Sequence, residues 1–326
     1  MRATRIEILL YADCLGSEAF AVMDTLSLAR QTGLAPAFDV RMVSVDGRRV
    51  SVSGTPLQPV RASQRPDMLI VPGMTARDSA ELIARCGALD LEQAHIARVH
   101  RLGGRVGAIC VGVFLAAAAG VLNGRRVTTA WPVAEALQHW QPDLEVARAH
   151  MVLADGPVIT TGAMSAAYDL ALALVEEASS PGAALRLRKL LALDGDRTSQ
   201  SRYETSLAGA GQTDPLVQRA QSLMLETLAE GFDLAVLAEG CGATERTLLR
   251  RFKAITGETL LGYRHRLVVD AVKVLLEQTV LPFSHIPARV GYADEVSVRR
   301  LFRTATAMTF RDYRRRFGVL PAHRGV

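Results

Sequence analysis

Short apolar runs alternate with longer amphipathic stretches through the first 195 residues of the chain. The apolar runs have the length of buried strands and predict strands at 6–11, 37–45, 68–71, 105–110 and 158–161. Apolar residues at helical spacing predict helices at 19–31, 80–102, 113–119, 163–177 and 182–193. Strands that alternate with helices are typical of a mainly parallel sheet with helices on both faces. The pattern therefore predicts a doubly wound, flavodoxin-like α/β domain at 1–195.

The pattern changes after residue 195. Residues 196–213 are rich in glycine, serine and other polar residues and have no apolar period, which predicts a linker. Asp214 followed by Pro215 is a strong start signal for a helix, because aspartate caps free N–H groups and proline suits the first turn. From there the pattern is helical, which predicts an all-α domain at 214–318 and a tail at 319–326. A chain of 326 residues is long enough for two such domains.

A helix-turn-helix pattern begins at residue 234. A short apolar helix leads to a turn at Gly242, and Thr244 is placed to cap the helix that follows. Leu248 and Phe252 lie four residues apart on one face of this second helix. Such a helix can pack on the first helix with one face and enter the major groove of DNA with the other.

The same arrangement recurs about fifty residues later. Gly291 takes the turn, Asp294 caps the helix, and the packed face consists of Val298, Leu301 and Phe302. Two such units in tandem are far more specific for DNA binding than one.

Two further features of this region bear on the interpretation. Pro287 falls inside the first helix of the second unit, but if Ser284 caps that helix, the proline lies in the first turn and is tolerated. Between the units, residues 260–278 predict one amphipathic helix of roughly 29 Å, since each residue adds about 1.5 Å. This length is close to the roughly 34 Å between successive major-groove faces of DNA, so one molecule could read two adjacent grooves.

Residues 214–318 resemble the AraC/XylS-type DNA-binding domain. The matching features are the Gly242 turn, Thr-Leu-Leu-Arg-Arg-Phe at 247–252, Thr256-Gly257, Gly291-Tyr292, Arg-Leu-Phe-Arg at 300–303 and Phe-Arg-Asp-Tyr-Arg-Arg-Arg-Phe at 310–317. The resemblance implies that the partner is double-stranded DNA. It also implies DNA contacts from ten side chains, which are Arg246, Thr247, Leu249, Arg250, Lys253, Glu295, Val296, Arg299, Arg300 and Arg303.

These side chains divide by the chemistry that each offers. Arginine suits a base-reading role, because its fork matches the O6 and N7 acceptors of guanine. We assign base contacts to Arg246, Leu249 and Arg250 in the first unit and to Glu295, Val296 and Arg300 in the second. Phosphate contacts give affinity without sequence information, and we assign these to Lys253, Arg299 and Arg303.

The distribution of charge supports a polyanionic partner. The net charge of the whole chain is +5. From residue 213 onward there are 17 lysines and arginines against 12 acidic residues, and residues 1–212 hold the remaining 21 against 21. The whole excess of positive charge therefore lies in the C-terminal third of the chain, where the DNA-binding domain is predicted.

The first domain has a cysteine where an apolar strand turns into a helix of small residues, at Cys110. A cysteine there would lie at a helix N-terminus, where backbone N–H groups lower the pKa of a thiol and could hold an oxyanion. The pattern is that of a nucleophile elbow with cysteine in place of serine.

Most of residues 5–193 resemble the PfpI-like branch of the class I glutamine-amidotransferase-like fold. The matching segments are Leu-Ile-Val-Pro-Gly at 69–73, Cys-Val-Gly-Val-Phe-Leu at 110–115, and the segments 119–129 and 169–177. GlxA-type transcriptional regulators join such a domain to an AraC-type one. The resemblance implies a sensor or dimerisation domain in this part of the chain.

The enzymes of that family pair the elbow cysteine with a histidine and with an acid after the first strand. Here Ala130 stands where the histidine is expected. Alignment of the first helix places Ala21 where the acid is expected, although Glu18 lies nearby. Acyl transfer needs a proton acceptor and donor within reach, and nothing in the sequence places His139 or His150 there. We therefore predict that the protein is not an enzyme.

Three roles stay open for Cys110: a buried or ligand-lining thiol, a redox- or electrophile-sensing thiol, and a catalytic nucleophile. Open α/β sheets place their crevice at the carboxyl ends of the strands. We expect a pocket there that binds a small effector or serves as a dimer surface. Its predicted lining residues are Gly73, Met74, Cys110, Val111, Trp131 and Gly162.

Composition argues against several other classes of protein. No stretch approaches the roughly 18 apolar residues of a membrane helix, and the opening apolar run is too short for a secretion signal, so a cytoplasmic, nucleoid-associated protein is expected. The four cysteines show no CxxC pair and no zinc-like spacing with histidine. We expect free thiols, no metal and no cofactor.

The leading hypothesis is an effector-responsive transcription regulator that forms a homodimer and, if it is an activator, contacts RNA polymerase. One alternative is a cysteine hydrolase or amidase of the PfpI-like kind with an appended DNA-binding domain. Another is a DNA-binding protein whose α/β domain is only a dimerisation scaffold with a closed pocket. The absence of a histidine at Ala130 argues against the enzyme.

Overall fold

The computed structural model describes residues 3–36, 38–194, 197–204 and 214–318. It divides into two compact units, Met1–Ser201 and Arg202–Val326. Each unit has its own hydrophobic core. The predicted tail and residues 196 and 205–213 of the predicted linker lie outside the described residues.

The first unit alternates strands and helices. Its strands are β1 (Thr4–Leu9), β2 (Phe38–Ser44), β3 (Val50–Val52), β4 (Thr55–Leu57), β5 (Val60–Arg61), β6 (Met68–Val71), β7 (Arg105–Ile109), β8 (Arg126–Val127), β9 (Glu145–Val146), β10 (Val152–Asp155) and β11 (Val158–Thr161). Its α-helices are α1 (Gly16–Gln31), α2 (Ser79–Gly87), α3 (Asp90–Arg101), α4 (Gly112–Ala118), α5 (Ala134–Trp140), α6 (Ala166–Ala178) and α7 (Pro181–Leu190).

Seven strands of this unit form one sheet in the order β10-β11-β7-β6-β1-β2-β5. Every neighbouring pair is parallel except β10 and β11. All residues of β6 and β11 are buried, as expected for strands covered on both faces. The predicted mainly parallel α/β fold is confirmed, and the carboxyl ends of β1, β6 and β7 lie side by side.

Two details of the first unit differ from the sequence prediction. The helix predicted at 80–102 is two helices, α2 and α3, which are separated at residues 88–89. The apolar stripe continues across this break, so periodicity alone does not reveal it. The strands of two to four residues that the prediction missed, such as β8 and β10, are too short to give an alternating pattern.

The second unit is helical throughout its described residues. Asp214 accepts hydrogen bonds from the backbone N–H groups of Leu216 and Val217 at 2.9 and 3.2 Å, so it caps the first helix as predicted. The helix predicted at 260–278 has those bounds. The α-helices are α8 (Pro215–Glu226), α9 (Leu234–Gly240), α10 (Glu245–Thr256), α11 (Leu260–Gln278), α12 (Ile286–Arg289), α13 (Glu295–Thr306) and α14 (Phe310–Phe317).

The aromatic core of this unit repeats with an offset of fifty residues. Phe252 packs edge-on against Tyr263, with ring centroids 5.3 Å apart. Phe302 packs in the same way against Tyr313 at 5.1 Å. Each of these pairs links one recognition helix of the helix-turn-helix pattern, α10 or α13, to the helix that follows it.

An arginine that donates to a backbone carbonyl repeats with the same offset. The guanidinium of Arg264 donates to the carbonyl of Leu228 at 2.7 Å, and that of Arg314 donates to the carbonyl of Leu281 at 2.7 Å. Each arginine therefore supplies hydrogen bonds and positive charge where the chain leaves the preceding helix. The sequence contained a signal for this repeat in its fifty-residue offset, but our prediction did not use it.

The repeat predicts a stabilising substitution at Ala307. Ala307 follows α13 with a φ of +58°, and Gly257 follows α10 with a φ of +75°. An L side chain is disfavoured in this left-handed conformation, so Ala307→Gly is expected to stabilise the second unit by about 0.5–1 kcal/mol. Gly257→Ala should destabilise the unit by about 1 kcal/mol, since nothing lies within 4 Å of the added Cβ and only the φ strain acts.

Urea unfolding of the full chain, followed by circular dichroism, tests both substitutions. Both tryptophans, Trp131 and Trp140, belong to the first unit, so tryptophan fluorescence follows unfolding of that unit alone. A loss of helical circular dichroism without a change in fluorescence therefore reports unfolding of the second unit. Midpoint shifts of the same sign in the two variants would contradict the repeat.

Part of the predicted linker is packed rather than free. Residues 197–201 belong to the first unit, and the second unit begins at Arg202. Within the second unit, the hydroxyl of Tyr313 donates to the carbonyl of Arg202 at 3.3 Å, and Lys273 donates to the carbonyl of Glu204 at 2.6 Å. The polar composition predicted a free chain here. It could not show these contacts, because they are made with residues distant in sequence.

Candidate nucleic-acid interface and cysteine site

The first helix-turn-helix pair consists of α9 and α10. Gly242 takes the turn with a φ of +63°. The hydroxyl of Thr244 accepts a hydrogen bond from the backbone N–H of Thr247 at 3.3 Å and so caps α10. Leu248 and Phe252 are fully buried, as the pattern predicted.

The opposite face of α10 is exposed. It carries Arg246, Leu249, Arg250 and Lys253. Across the described ranges, the three cationic side chains of this group form no ion pair, and Leu249 is 42% exposed. Thr247 is only half-buried, and its hydroxyl accepts from the cap, Thr244, at 2.9 Å. The face therefore offers unpaired guanidinium and ammonium groups beside one apolar side chain.

The second pair consists of α12 and α13. Gly291 takes the turn with a φ of +74°. Asp294 accepts from the backbone N–H of Ser297 at 2.7 Å, and Val298 and Phe302 are fully buried. The second helix-turn-helix pair thus reproduces the geometry of the first pair.

Pro287 lies in the first turn of α12, where it was predicted to be tolerated. The predicted cap is wrong, however. His285 takes the N-cap position, no side chain caps the helix, and Ser284 lies in a short 3₁₀ turn before it. The proline itself fixes the first turn, because its φ suits a helix start.

The four charged side chains that were predicted to contact DNA from α13 form two groups, one paired and one unpaired. Glu295 pairs with Arg299, whose guanidinium also lies over the rings of Phe283 and Phe310 at 5.7 and 5.3 Å. Arg300 and Arg303 are exposed and form no ion pair within the part of the chain that the structure describes. Val296 on the same face is 75% exposed. Arg300 and Arg303 are thus available to a ligand, whereas Arg299 must leave Glu295 to reach a phosphate.

Cys110 lies at the sharp turn between β7 and α4. Its φ is +55°, a strained value for a residue with a side chain. The next turn of chain needs Gly112, since an added Cβ would lie 2.5 Å from the carbonyl oxygen of Val71 and even closer to that of Pro72. The nucleophile-elbow geometry is therefore present with cysteine at its apex.

The acid that the sequence alignment placed at Ala21 is Glu18. Its Oε2 accepts from the backbone N–H of Gly73 at 2.6 Å, and its carboxyl group lies beside the thiol of Cys110. Burial raises the pKa of Glu18 to about 8. The carboxyl group is therefore mostly protonated at neutral pH.

The thiol itself departs from our expectation. We predicted that the helix N-terminus would lower the pKa of Cys110, but burial and the neighbouring Glu18 raise that pKa well above its ordinary value. Hydrogen bonds from the backbone N–H groups of Val111 and Met164 oppose this shift only in part. Desolvation outweighs the partial charge of a seven-residue helix.

Glu18 predicts a pH-dependent stability. The folded state holds the proton of Glu18 up to about pH 8, and the unfolded state loses it near pH 4.5. Unfolding between these values releases a proton, so this group makes the free energy of unfolding fall as pH rises, by up to about 1.4 kcal/mol per pH unit. Glu18→Gln keeps an acceptor for Gly73 and should remove this slope.

Urea unfolding followed by tryptophan fluorescence between pH 5 and 8 measures the effect as a difference between wild type and variant. The difference isolates Glu18 from the buried His95 and the half-buried His100, whose pKa values are lowered by desolvation. The exposed Glu176→Gln is the matched control. Parallel curves for wild type and Glu18→Gln would contradict the raised pKa.

The position at which the enzymes carry a histidine is an alanine here. Ala130 is buried where a histidine was expected, and the preceding Thr129 donates from its hydroxyl to the carbonyl of Cys110 at 2.7 Å. His139 directs Nδ1 to the carbonyl of Glu135 at 2.8 Å.

The six predicted pocket residues fall into different surroundings. Gly73, Cys110 and Val111 meet around Glu18, since a Cβ on Gly73 would lie 3.1 Å from Val111 and 3.3 Å from the Glu18 carboxylate. Met74 is buried, and its backbone forms an isolated β-bridge with that of Cys14.

Trp131 and Gly162 lie instead against the side chain of Gln200. The backbone N–H of Trp131 donates to its amide oxygen at 3.3 Å, and an added Cβ on Gly162 would lie 2.6 Å from that oxygen. Gln200 was assigned to the linker, so sequence reasoning missed it. A separate cavity of about 270 Å³ near the ends of β1 and β2 is lined by none of the six residues.

The other cysteines are free. Burial raises the pKa of Cys14 to about 11 and that of Cys86 to about 12. Among the residues that the structure describes, no group of three or more histidine, cysteine, aspartate or glutamate side chains could hold a metal ion. No helix of the described ranges is both long and apolar enough to cross a membrane.

Comparison with known families assigns both halves of the chain. Residues 6–177, more than half of the chain, match the sequence model of the DJ-1/PfpI family. Residues 237–316 match the model of a helix-turn-helix domain. The first match contains the cysteine site, and the second contains the exposed faces of α10 and α13.

Two named transcriptional regulators are similar to this chain. The chain is 29% identical over 218 residues to the HTH-type transcriptional regulator CdhR of Pseudomonas aeruginosa, which covers 64% of this chain and 62% of that protein. It is 28% identical over 223 residues to the HTH-type transcriptional regulator GlxA of Rhizobium meliloti, which covers 68% of each. The alignment thus spans less than two thirds of the length of CdhR.

A solved structure from Vibrio parahaemolyticus is similar to this chain with a TM-score of 0.50 and 19% identity. The likeness covers 58% of this chain and 100% of that one. At this identity it supports the fold alone.

Proposed function

The chain belongs to the DJ-1/PfpI family and carries a helix-turn-helix domain, and from this premise we propose that it is a sequence-specific, AraC-type transcription regulator that responds to an effector. One observation carries the proposal. Two capped helices with the same core, offset by fifty residues, expose arginines that have no ionic partner within the described residues. A pair of recognition helices in one molecule suits two adjacent major grooves.

The exposed side chains of α10 and α13 contribute to DNA binding in different ways. We infer that Arg246, Arg250 and Arg300 read bases, because an unpaired guanidinium is free to form both hydrogen bonds to guanine. Lys253 and Arg303 lie near the ends of their helices and suit phosphate contacts. Glu295 and Arg299 must separate before either reaches DNA, so their pairing weakens binding to any sequence that does not engage both.

Capture of genomic DNA by the purified full-length protein tests the proposal. The expected result is a shared motif of two elements about one helical turn apart. Capture by an Arg246→Ala/Arg300→Ala variant should lose that motif. If wild type enriches no motif at moderate salt, with or without effector candidates, the regulator proposal fails.

We further propose that the α/β unit is not catalytic. Burial first, and the charge of a neighbouring Glu18 carboxylate second, disfavour a thiolate at Cys110, and Ala130 offers no base. The elbow conformation of Cys110 favours the alternative, a cysteine hydrolase or amidase. Screening amide and ester substrates, with Cys110→Ala as control, decides between them, since turnover lost in the variant would identify an enzyme.

The remaining features of the proposal concern assembly and location. We propose a homodimer formed through the α/β unit, a location with the chromosome in the cytoplasm, and a contact with RNA polymerase if the protein activates transcription. Sedimentation of the full chain at micromolar concentration tests the dimer. A monomer at all concentrations, with DNA binding intact, would show that each molecule reads its site alone.

A further inference from the structure

Residues 197–201, which we term the strap, are bound along the first unit. The backbone N–H of Met151 donates to the carbonyl of Thr198 at 3.1 Å, and that of Gln200 donates to the carbonyl of Ala149 at 2.9 Å. Ser199 pairs with His150 in an isolated β-bridge. The strap therefore adds a short extended segment beside residues 149–151.

The strap is anchored at its start by a charged pair. Arg197 donates from Nη2 to the carboxylate of Asp169 at 2.8 Å and to the hydroxyl of Ser165 at 2.9 Å. The Asp169 side chain is 4% exposed and that of Arg197 is 11% exposed. Water therefore competes weakly for this pair, which holds the strap on α6.

The strap is anchored near its end by the side chain of Gln200, which is fully buried. Its amide nitrogen donates to the carbonyl of Arg148 at 2.6 Å and to that of Thr129 at 2.7 Å, and the carbonyl of His150 lies 3.2 Å away. Its amide oxygen accepts from the backbone N–H groups of Trp131 and Ala163, each at 3.3 Å. Both ends of the carboxamide are therefore matched by backbone groups.

The crevice around this amide is closed on its remaining side by Gly162. An added Cβ there would lie 2.6 Å from the amide oxygen of Gln200, 2.8 Å from its carbon and 3.0 Å from its nitrogen. The absent side chain of Gly162 makes the space that the carboxamide fills. The crevice also adjoins the cysteine site, because Thr129 accepts from Gln200 and donates to the carbonyl of Cys110.

The lining of the crevice selects one functional group. Carbonyls on one side need a donor with two N–H groups, and N–H groups on the other side need an acceptor. A primary carboxamide offers both. A carboxylate would set its negative charge against the carbonyls of Arg148, Thr129 and His150, and an ester would leave them unpaired.

We propose that this crevice is a primary-carboxamide site with Gln200 as its built-in ligand, and that a small molecule bearing a primary carboxamide takes its place and releases the strap. Release would free residues 197–201 from the first unit, and Arg202 begins the second. The chain that joins the units would lengthen accordingly. Release of the strap would then change how the protein binds DNA. Only this consequence rests on the proposed function.

Hydrogen exchange of the full-length protein measures the strap directly, through the amides of Gln200 and Met151. Gln200→Ala removes the ligand, and Gly162→Ala fills the crevice from the opposite wall. Each should raise exchange at both amides at least tenfold. Gly182→Ala, where no atom lies closer than 3.9 Å to the added Cβ, is the matched control and should exchange as wild type.

Gln200→Glu keeps the shape of the side chain and guards against a variant that merely misfolds. After correction for intrinsic rates, its strap should exchange faster at pH 8, where the carboxylate faces three carbonyls, than at pH 5, where a protonated acid can donate. Wild-type exchange for all three variants would overturn the built-in ligand.

Propanamide is the probe for the site, and propanoate is its matched control. Propanamide should accelerate strap exchange in wild type by displacing Gln200, and should slow it in Gln200→Ala by filling the empty crevice. Propanoate should do neither. The same effect from both probes, or from neither, would overturn the carboxamide site. DNA affinity of the same samples is read separately, so loss of the regulator proposal would leave the exchange result standing.

Discussion

The double variant Arg246→Ala/Arg300→Ala is expected to bind its captured DNA motif at least 30-fold more weakly than wild type. Each arginine lies on the exposed face of its own recognition helix and forms no ion pair within the described residues. A bidentate arginine–guanine contact contributes about 1–3 kcal/mol of discrimination, so two contacts in separate helix-turn-helix pairs contribute about 2–6 kcal/mol. Fluorescence anisotropy on the captured motif and on a scrambled duplex, both at fixed salt, measures the loss.

Specificity distinguishes this result from a general loss of charge. The double variant should bind the motif and the scrambled duplex almost equally, because the groups that read bases are gone. Lys253→Ala should weaken binding to both duplexes alike and reduce the salt slope by about 1. Arg105→Ala, which breaks a surface pair with Glu177 in the first unit, should leave DNA affinity unchanged. Equal, sequence-blind losses in the Arg246/Arg300 and Lys253 variants would mean that our assignment of base readers is wrong.

The helical half of the molecule could be predicted closely from its sequence. Its caps and turns are local, since Asp214, Thr244 and Asp294 bind N–H groups two or three residues away. The turn glycines Gly242 and Gly291 have the positive φ that only glycine adopts readily. Local signals of this kind need no knowledge of the fold.

The cysteine site could be predicted only in part. The elbow at Cys110 is a local pattern, but the approach of Glu18 depends on how α1 packs beside the chain that follows β6. Alignment placed the acid at Ala21, three residues away. Gln200 stands in a polar stretch with no apolar period, and its partners are backbone groups 37 to 71 residues distant. Every residue type has a backbone carbonyl, and all but proline have a backbone N–H, so partners of this kind cannot be identified from the sequence.

The two turn glycines give the second large prediction, because they share a conformation but differ in their surroundings. An added Cβ on Gly242 would meet no atom within 4 Å. One on Gly291 would lie 2.5 Å from the carbonyl oxygen of Leu228 and 2.7 Å from the backbone nitrogen of Gly231. Gly242→Ala should therefore cost only the left-handed conformation, about 1 kcal/mol. Gly291→Ala adds a clash with fixed backbone and should cost about 3 kcal/mol or more.

The excess cost at Gly291 has a structural meaning. The turn of the second helix pair is packed against the loop that joins α8 to α9, and the guanidinium of Arg264, which donates to Leu228, lies 2.8 Å from the same added Cβ. Gly291→Ala should therefore loosen both helix pairs, whereas Gly242→Ala should affect one. Urea unfolding followed by circular dichroism, with tryptophan fluorescence as the record of the first unit, gives both free energies. If Gly291→Ala costs no more free energy than Gly242→Ala, the two helix pairs fold without this contact. The idea that they form one rigid body that binds two adjacent major grooves would then have to be abandoned.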